Sequence, residues 1–198
     1  MEKKIVALTG IKGSGKSSVA RALYNKLDNC MIIPMAGLAK QCVELITGVG
    51  MNELQPDGSY DYSQKQKQML LPSGMELGLF VREFAEAVRG IDKLIWIDST
   101  FNIIEASSNE WFIIPDVRMI EEYNAINKLN EMDGYQSFIF RINAGAGMKP
   151  NLLDGRDLSH RTENQLADEV YDGTYVNVKG QASINSIADK IARKVRSF

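Results

Sequence analysis

The sequence predicts an α/β fold. Apolar runs of strand length alternate with segments of helical periodicity, which favours a parallel sheet covered by helices. The segment Gly10–Ser17 matches G-x-x-x-x-G-K-[ST] and lies between a strand and a helix. Together these observations predict the P-loop NTPase fold, with three α/β/α layers and a five-stranded, mainly parallel sheet. The 198 residues are enough for one such domain.

The first element is a buried strand over 5–8, and an amphipathic helix follows the glycine-rich loop. Glycines in the loop permit backbone angles that are closed to other residues, so main-chain N–H groups can approach phosphate oxygens at the positive end of the helix. Lys16 is expected to bridge β- and γ-phosphates, and the Ser17 hydroxyl to bind Mg²⁺. The alternative is a glycine-rich turn with an incidental lysine, and the flanking strand and helix argue against it.

Further elements are expected between the first helix and the apolar run at 111–114. A short strand over 31–34 precedes a helix over 37–46, which ends near Gly48. Residues 48–63 are rich in glycine, proline and aspartate, which predicts a polar loop. A helix begins at Glu76 and stops at Gly90, and 91–109 form a further helical segment.

A continuous apolar run over 111–114 predicts a central strand that ends at Pro115 and Asp116. Since proline cannot donate to a ladder, the strand is expected to stop pairing at Pro115. Asp116 is a candidate for organising Mg²⁺, and Arg118 for gripping a second phosphate. The alternative is a surface pair that caps the next helix.

The remaining pattern predicts a helix over 119–132, a strand over 137–142, a strand over 174–178 and a helix over 184–195. A long polar loop lies over 143–163, and loops of this length are usually functional or disordered. Its arginines, Arg156 and Arg161, suggest a mobile cationic lid that closes over the transferring phosphoryl group; the alternative is a solvated loop.

Four cations near the C-terminus are consistent with an anion site, or with solvated charges that complement the end of a helix: Lys190, Arg193, Lys194 and Arg196.

The amino-acid composition limits the kinds of binding partner that we expect for this chain. The chain has 23 Lys and Arg against 25 Asp and Glu, so no overall basic field favours direct binding of nucleic acid. Cys30 and Cys42 are too few for a disulfide framework and lack metal-ligand spacing with His160. No apolar run approaches about 20 residues and no signal peptide is evident, so we expect no membrane association and a cytoplasmic protein, in the host cytoplasm if viral.

Two competing P-loop classes fit less well. Asn25–Asp28 matches the guanine-reading N-K-x-D, but it lies in the helix directly after the loop, and no D-x-x-G occurs. ATPase motors usually carry Glu after the acid at the strand end, whereas Val117 follows Asp116. This argues weakly for transfer to a substrate rather than to water.

Four further segments occur in an order that resembles the bacteriophage-type deoxynucleoside monophosphate kinases. They are Met35-Ala36-Gly37-Leu38-Ala39-Lys40, Gly74-Met75-Glu76 with Arg82, Asp116-Val117-Arg118 with Glu121 and Glu122, and Asp157-Leu158-Ser159-His160-Arg161-Thr162-Glu163. Met75 and Met119 replace a Thr and a Phe of the family pattern. Together the matches span nearly the whole chain.

The resemblance implies transfer of the γ-phosphoryl group of ATP, with Mg²⁺, to a deoxynucleoside 5′-monophosphate for nucleotide supply to DNA synthesis. It implies one kinase domain over 1–198, with an acceptor-binding helical insertion over about 36–109 and a lid over about 143–165. A homodimer is in keeping with the family. The alternatives are a P-loop kinase of another small metabolite and a non-catalytic ATP-binding regulatory module.

The same resemblance assigns candidate roles by position. The catalytic candidates are Lys16, Arg118, Arg156 and Arg161. The candidates for ATP binding are Gly10, Gly13, Ser14, Gly15, Lys16, Ser17 and Ser18. Those for substrate binding are Lys40, Glu76, Arg82, Asp116, Arg118, His160 and Glu163. The candidate metal-binding residues are Ser17 and Asp116.

Overall fold

A twisted parallel sheet forms the centre of the computed structural model, which describes residues 2–56, 58–146 and 165–198. Its five strands are β1 Lys3–Thr9, β2 Cys30–Ile32, β5 Trp111–Val117, β6 Tyr135–Ala144 and β7 Gly173–Asn177. They lie in the order β2-β5-β1-β6-β7, and every pairing is parallel. A separate antiparallel hairpin pairs β3 Glu53–Leu54 with β4 Tyr60–Asp61.

Helices connect the strands. Those in the described residues are α1 Lys16–Tyr24, α2 Gly37–Thr47, α3 Gln64–Lys67, α4 Leu77–Ile91, α5 Ile95–Ala106, α6 Ile120–Lys128, a 3₁₀ turn Leu129–Glu131 and α7 Gln181–Val195. In the part of the chain that the structure describes, none of them has the length and apolar character that crossing a membrane requires.

The sheet is buried on both faces, because the side chains on both sides of its central strands are apolar. On one face Val6, Leu8 and Phe140 pack against α1 and α7, and on the other Ile5 and Phe112 pack against α5 and α6. Two helical layers thus enclose one sheet. The predicted three-layer fold with a five-stranded parallel sheet is confirmed.

A smaller apolar cluster holds the region between β2 and β5 together. Val43 of α2, Tyr62 and Leu77 of α4 are fully buried there, and Phe80 and Phe84 pack against them. These two phenylalanines are four residues apart and lie on one face of α4. The first helix of this region, α2, follows β2 in the chain.

Two predictions about this region are wrong. The polar stretch 48–63 contains the β3–β4 hairpin, because strands of two residues have no periodicity to detect. Strand β5 also does not end at Pro115: pairing with β1 shifts register after Ala7↔Ile114 and resumes at Thr9↔Val117. Pro115 lies in that irregularity, where a missing N–H costs the ladder little. Asp116 is therefore part of the strand.

Candidate functional site

The glycine-rich loop joins β1 to α1 at the carboxyl edge of the sheet. Gly10, Gly13 and Gly15 have φ values of 136°, 83° and 93°, which other residues rarely adopt. A Cβ at Gly10 would lie 2.1 Å from the carbonyl oxygen of Ile142 at the end of β6. The loop therefore has its fold because glycines occupy these three positions, and it is packed closely against the neighbouring strand.

The beginning of α1 presents backbone donors. Gly15 is the residue that caps the helix, and a glycine has no side chain that could accept from the first turn. The first N–H groups of a helix have no partner within the helix, and the helix dipole makes this end positive. Ser14 is fully buried, and its Oγ has no hydrogen-bond partner among the described residues. This combination favours an anion.

Lys16 is almost fully buried within the loop. Its Nζ donates to the carbonyl oxygens of Gly10 at 2.5 Å and Ile11 at 2.8 Å, so the ammonium lies inside the turn rather than in solvent. Ser17 and Ser18 follow it in the first turn of α1. The predicted phosphate-binding residues thus lie together in the loop and in the first turn of this helix.

Asp116 lies at the end of β5, next to this loop. Its neighbour Val117 pairs with Thr9, the last residue of β1. Both carboxylate oxygens accept backbone N–H groups, from Met35 at 2.8 Å and from Ala36 at 3.1 Å. Asp116 therefore fastens the turn between β2 and α2 to the strand beside the phosphate loop.

The turn after Asp116 is held by a buried carboxylate. Glu122 is 5% exposed, and its Oε2 accepts the N–H groups of Arg118 at 2.8 Å and Met119 at 3.1 Å. Its Oε1 lies 3.9 Å from Nη2 of Arg89 on α4. Burial raises the pKa of Glu122 from 4.5 to about 7, and the negative charge of Asp116 acts in the same direction. Glu122 thus fixes the backbone from which Arg118 projects.

Lys40 on α2 is engaged by a residue that the sequence analysis did not identify. Its Nζ lies 3.1 Å from Oδ1 of Asp61, and Nζ of Lys67 lies 3.0 Å from Oδ2. Burial alone raises the pKa of the Asp61 carboxyl, but the two ammonium groups outweigh burial, and the pKa lies below its ordinary value of 3.8. The hairpin therefore sets the position of Lys40.

The other candidates are less closely connected to this edge. Glu76 is the residue before α4, and Arg82 lies on α4, where its Nε is 3.3 Å from the neighbouring Glu83; the side chains of Arg82 and Glu83 are solvent-exposed. Their acceptor-binding roles stay predictions.

Four predicted residues lie outside the described part of the chain: Arg156, His160, Arg161 and Glu163. The expected lid lies almost entirely in the same segment.

The residues at this edge suit a magnesium ion that arrives with a triphosphate. Within residues 2–56, 58–146 and 165–198, no cluster of three or more His, Cys, Asp or Glu side chains could hold a metal by itself. Mg²⁺ usually keeps several waters and is held by one or two protein oxygens together with substrate phosphates. The hydroxyl of Ser17 and the carboxylate of Asp116 are oxygen donors of that kind.

Three of the four cations at the C-terminal end of α7 donate to backbone carbonyls. Arg193 donates to Asp189 at 3.3 Å, Lys194 to Asp172 and Arg196 to Lys26. Two of these bonds link the C-terminal end of α7 to other segments of the chain. They favour charges that complement and anchor a helix end over an anion site.

Asn177, the last residue of β7, also contacts the phosphate loop. Its Nδ2 donates to the carbonyl oxygen of Ser14 at 3.0 Å, and the residue is 2% exposed. No sequence signal singled it out, since a polar residue at a strand end is typical of any loop. Glu122 could be identified from the sequence, because it is one of the two glutamates that follow Asp116-Val117-Arg118 in the family resemblance.

No protein-family model and no curated protein match this chain. Two solved structures of the APS kinase CysC of Mycobacterium tuberculosis align with its full length and with 99% of theirs, both at a TM-score of 0.46. One is a cysteine-to-alanine mutant at 13% identity, and the other is a complex with AMPPNP and APS at 14% identity. AMPPNP and APS are ligands of that kinase.

Proposed function

We propose that this chain is an ATP-dependent phosphotransferase acting on a deoxynucleoside 5′-monophosphate. One observation carries the proposal. Asp116 joins the strand beside the phosphate loop to the turn that starts α2, through two backbone hydrogen bonds. A donor side and an acceptor side that share one strand end can hold two phosphates in line, which is the main requirement of phosphoryl transfer.

The proposal assigns a role to the main residues of the site. The N–H groups at the start of α1 and the ammonium of Lys16 bind the β- and γ-phosphates of ATP, with phosphate oxygens replacing the loop carbonyls as partners of Lys16. Arg118 faces the acceptor phosphate from the turn that Glu122 holds. Mg²⁺, when bound, neutralises charge on the transferring group. No general base is assigned, because the acceptor phosphate is already anionic at neutral pH.

The acceptor class follows the family resemblance of the sequence. Lys40 lies on α2, directly after the turn that Asp116 anchors, and Asp61 restrains it there. A cation in this place suits the phosphate or the base edge of a nucleotide. Lys40, Glu76, Arg82 and the residues of 143–165 remain proposed acceptor and lid residues, and the homodimer stays a prediction.

A coupled ADP-release assay over a panel of deoxynucleoside monophosphates, modified bases included, tests the proposal. We expect turnover with at least one member, and its loss in Lys16→Ala. Lys190→Ala, an exposed lysine on α7, is the matched control and should keep wild-type activity. Failure with every nucleotide, while another phosphate acceptor is turned over, would assign a different small-molecule kinase. Binding of ATP without any turnover would indicate a non-catalytic module.

A further inference from the structure

The side chain of Asn177 is fixed at both ends. Its Oδ1 accepts the backbone N–H of Lys179 at 3.1 Å, and its Nδ2 donates to the Ser14 carbonyl at 3.0 Å. Because an N–H can only face the oxygen of the amide, the contact with Lys179 determines which end of the amide points at Ser14. The Asn177 backbone carbonyl also accepts the N–H of Gly145 at 2.7 Å. The strand end and the amide are therefore rigid relative to the sheet.

The amide also occupies the space beside the next loop residue. A Cβ at Gly15 would lie 2.3 Å from Nδ2 of Asn177. The absence of a side chain at position 15 and the presence of the amide at 177 are thus complementary, and they come from opposite ends of the chain.

The hydrogen bond to Ser14 fixes the direction of a neighbouring donor. In a planar trans peptide, the C=O of residue 14 and the N–H of residue 15 point in opposite directions. Holding the Ser14 carbonyl toward Asn177 therefore directs the Gly15 N–H away from β7. If the carbonyl were free, this peptide could rotate and place an oxygen where an anion binds.

We propose that Asn177 is a positioning residue for the triphosphate: it orients the Ser14–Gly15 peptide so that the Gly15 N–H donates to a phosphate oxygen. This inference rests on the proposed donor site and adds a residue to it that neither motif nor resemblance contains. Asn177 acts through Gly15 and does not touch the nucleotide. Its loss should weaken binding of any polyphosphate, whatever base or acceptor the protein uses.

The test is the affinity of the full chain for MgATP and for inorganic tripolyphosphate, measured by titration calorimetry. Asn177→Ala removes the donor, and Asn177→Asp keeps the shape of the side chain but sets a carboxylate oxygen against the Ser14 carbonyl. We expect both variants to bind both probes about tenfold more weakly than the wild type, in keeping with the loss of one buried hydrogen bond. The acceptor KM should not change.

Asn130→Ala is the matched control. Asn130 likewise bridges backbone groups, accepting from Ser137 at 2.7 Å and donating to it at 3.1 Å, but at the opposite end of β6. This variant should lower the melting temperature and leave both affinities unchanged. Wild-type affinity in either Asn177 variant, together with a lower melting temperature, would reduce Asn177 to a stability residue and overturn the inference alone. Absence of binding by the wild-type chain would overturn the donor site itself.

Discussion

The buried carboxylate of Glu122 makes a strong prediction about pH. Glu122→Gln removes an ionisable group and keeps the shape of the side chain, including an oxygen that can accept the N–H groups of Arg118 and Met119. In the wild type the folded carboxyl has a pKa of about 7 against an ordinary value of 4.5, and burial is the main cause. The folded state therefore holds a proton that the unfolded state has released.

The sign and size follow from linkage. Between pH 4.5 and about 7 Glu122 binds more protons in the folded state than in the unfolded state, so its contribution to the free energy of unfolding falls as the pH rises through this interval and is level on either side. A pKa unit corresponds to about 1.4 kcal/mol, so the full interval corresponds to about 3 kcal/mol. For a chain of this length that is roughly 6 °C or more in melting temperature.

Urea unfolding of both proteins between pH 5 and 8 checks this. We expect Glu122→Gln to gain about 2–3 kcal/mol relative to the wild type across the interval, because the variant lacks the group whose ionisation destabilises the fold. Glu131→Gln changes an exposed carboxylate just beyond α6 and should run parallel to the wild type. Parallel curves for Glu122→Gln would show that Glu122 is ionised in the folded state throughout, and the reasoning from burial would be refuted.

Three further changes follow from the same contacts. Asp116→Asn replaces an acceptor of two N–H groups by an amide and should lower the free energy of unfolding in urea by about 1–3 kcal/mol. It should also raise the acceptor KM more than the ATP KM; an equal rise of the two KM values would contradict the link between Asp116 and the start of α2. Asp61→Asn should cost about 1–2 kcal/mol at pH 7, and the difference should shrink as the pH falls below 3.8, where the wild-type carboxylate also becomes protonated. Gly15→Ala should lower the free energy of unfolding by about 1–3 kcal/mol more than Gly134→Ala in the same measurement, because both glycines have positive φ but only a Cβ at position 15 would contact Asn177. Equal costs would mean that the loop shifts to accommodate the added Cβ.

The local part of the site could be predicted from the sequence. Strand, loop and helix around Gly10–Ser17 are adjacent in the chain, and glycine spacing, apolar runs and helical periodicity each report on neighbours within a few residues. The same holds for Asp116, whose place at a strand end follows from the apolar run before it. The extension of β5 through Pro115 could not be predicted, because it depends on a register shift against β1.

The contacts that position the site are non-local. Lys40 meets Asp61 only because a hairpin of two-residue strands folds back on α2, and no periodic pattern announces such strands. Asn177 meets Ser14 because β7 is added at the edge of the sheet next to β6. Partners of this kind are set by topology and packing, which composition and spacing do not encode at either position.

The bond between Ser14 and Asn177 joins residues 163 positions apart, and this has a consequence for synthesis. The ribosome makes the glycine-rich loop well before β7, and domains fold as their segments become available. A nascent chain that stops before β7 contains the whole glycine-rich motif yet lacks the amide that orients it. The glycine-rich segment is therefore completed only after β7 has been made, and full polyphosphate affinity would report that synthesis has passed β7.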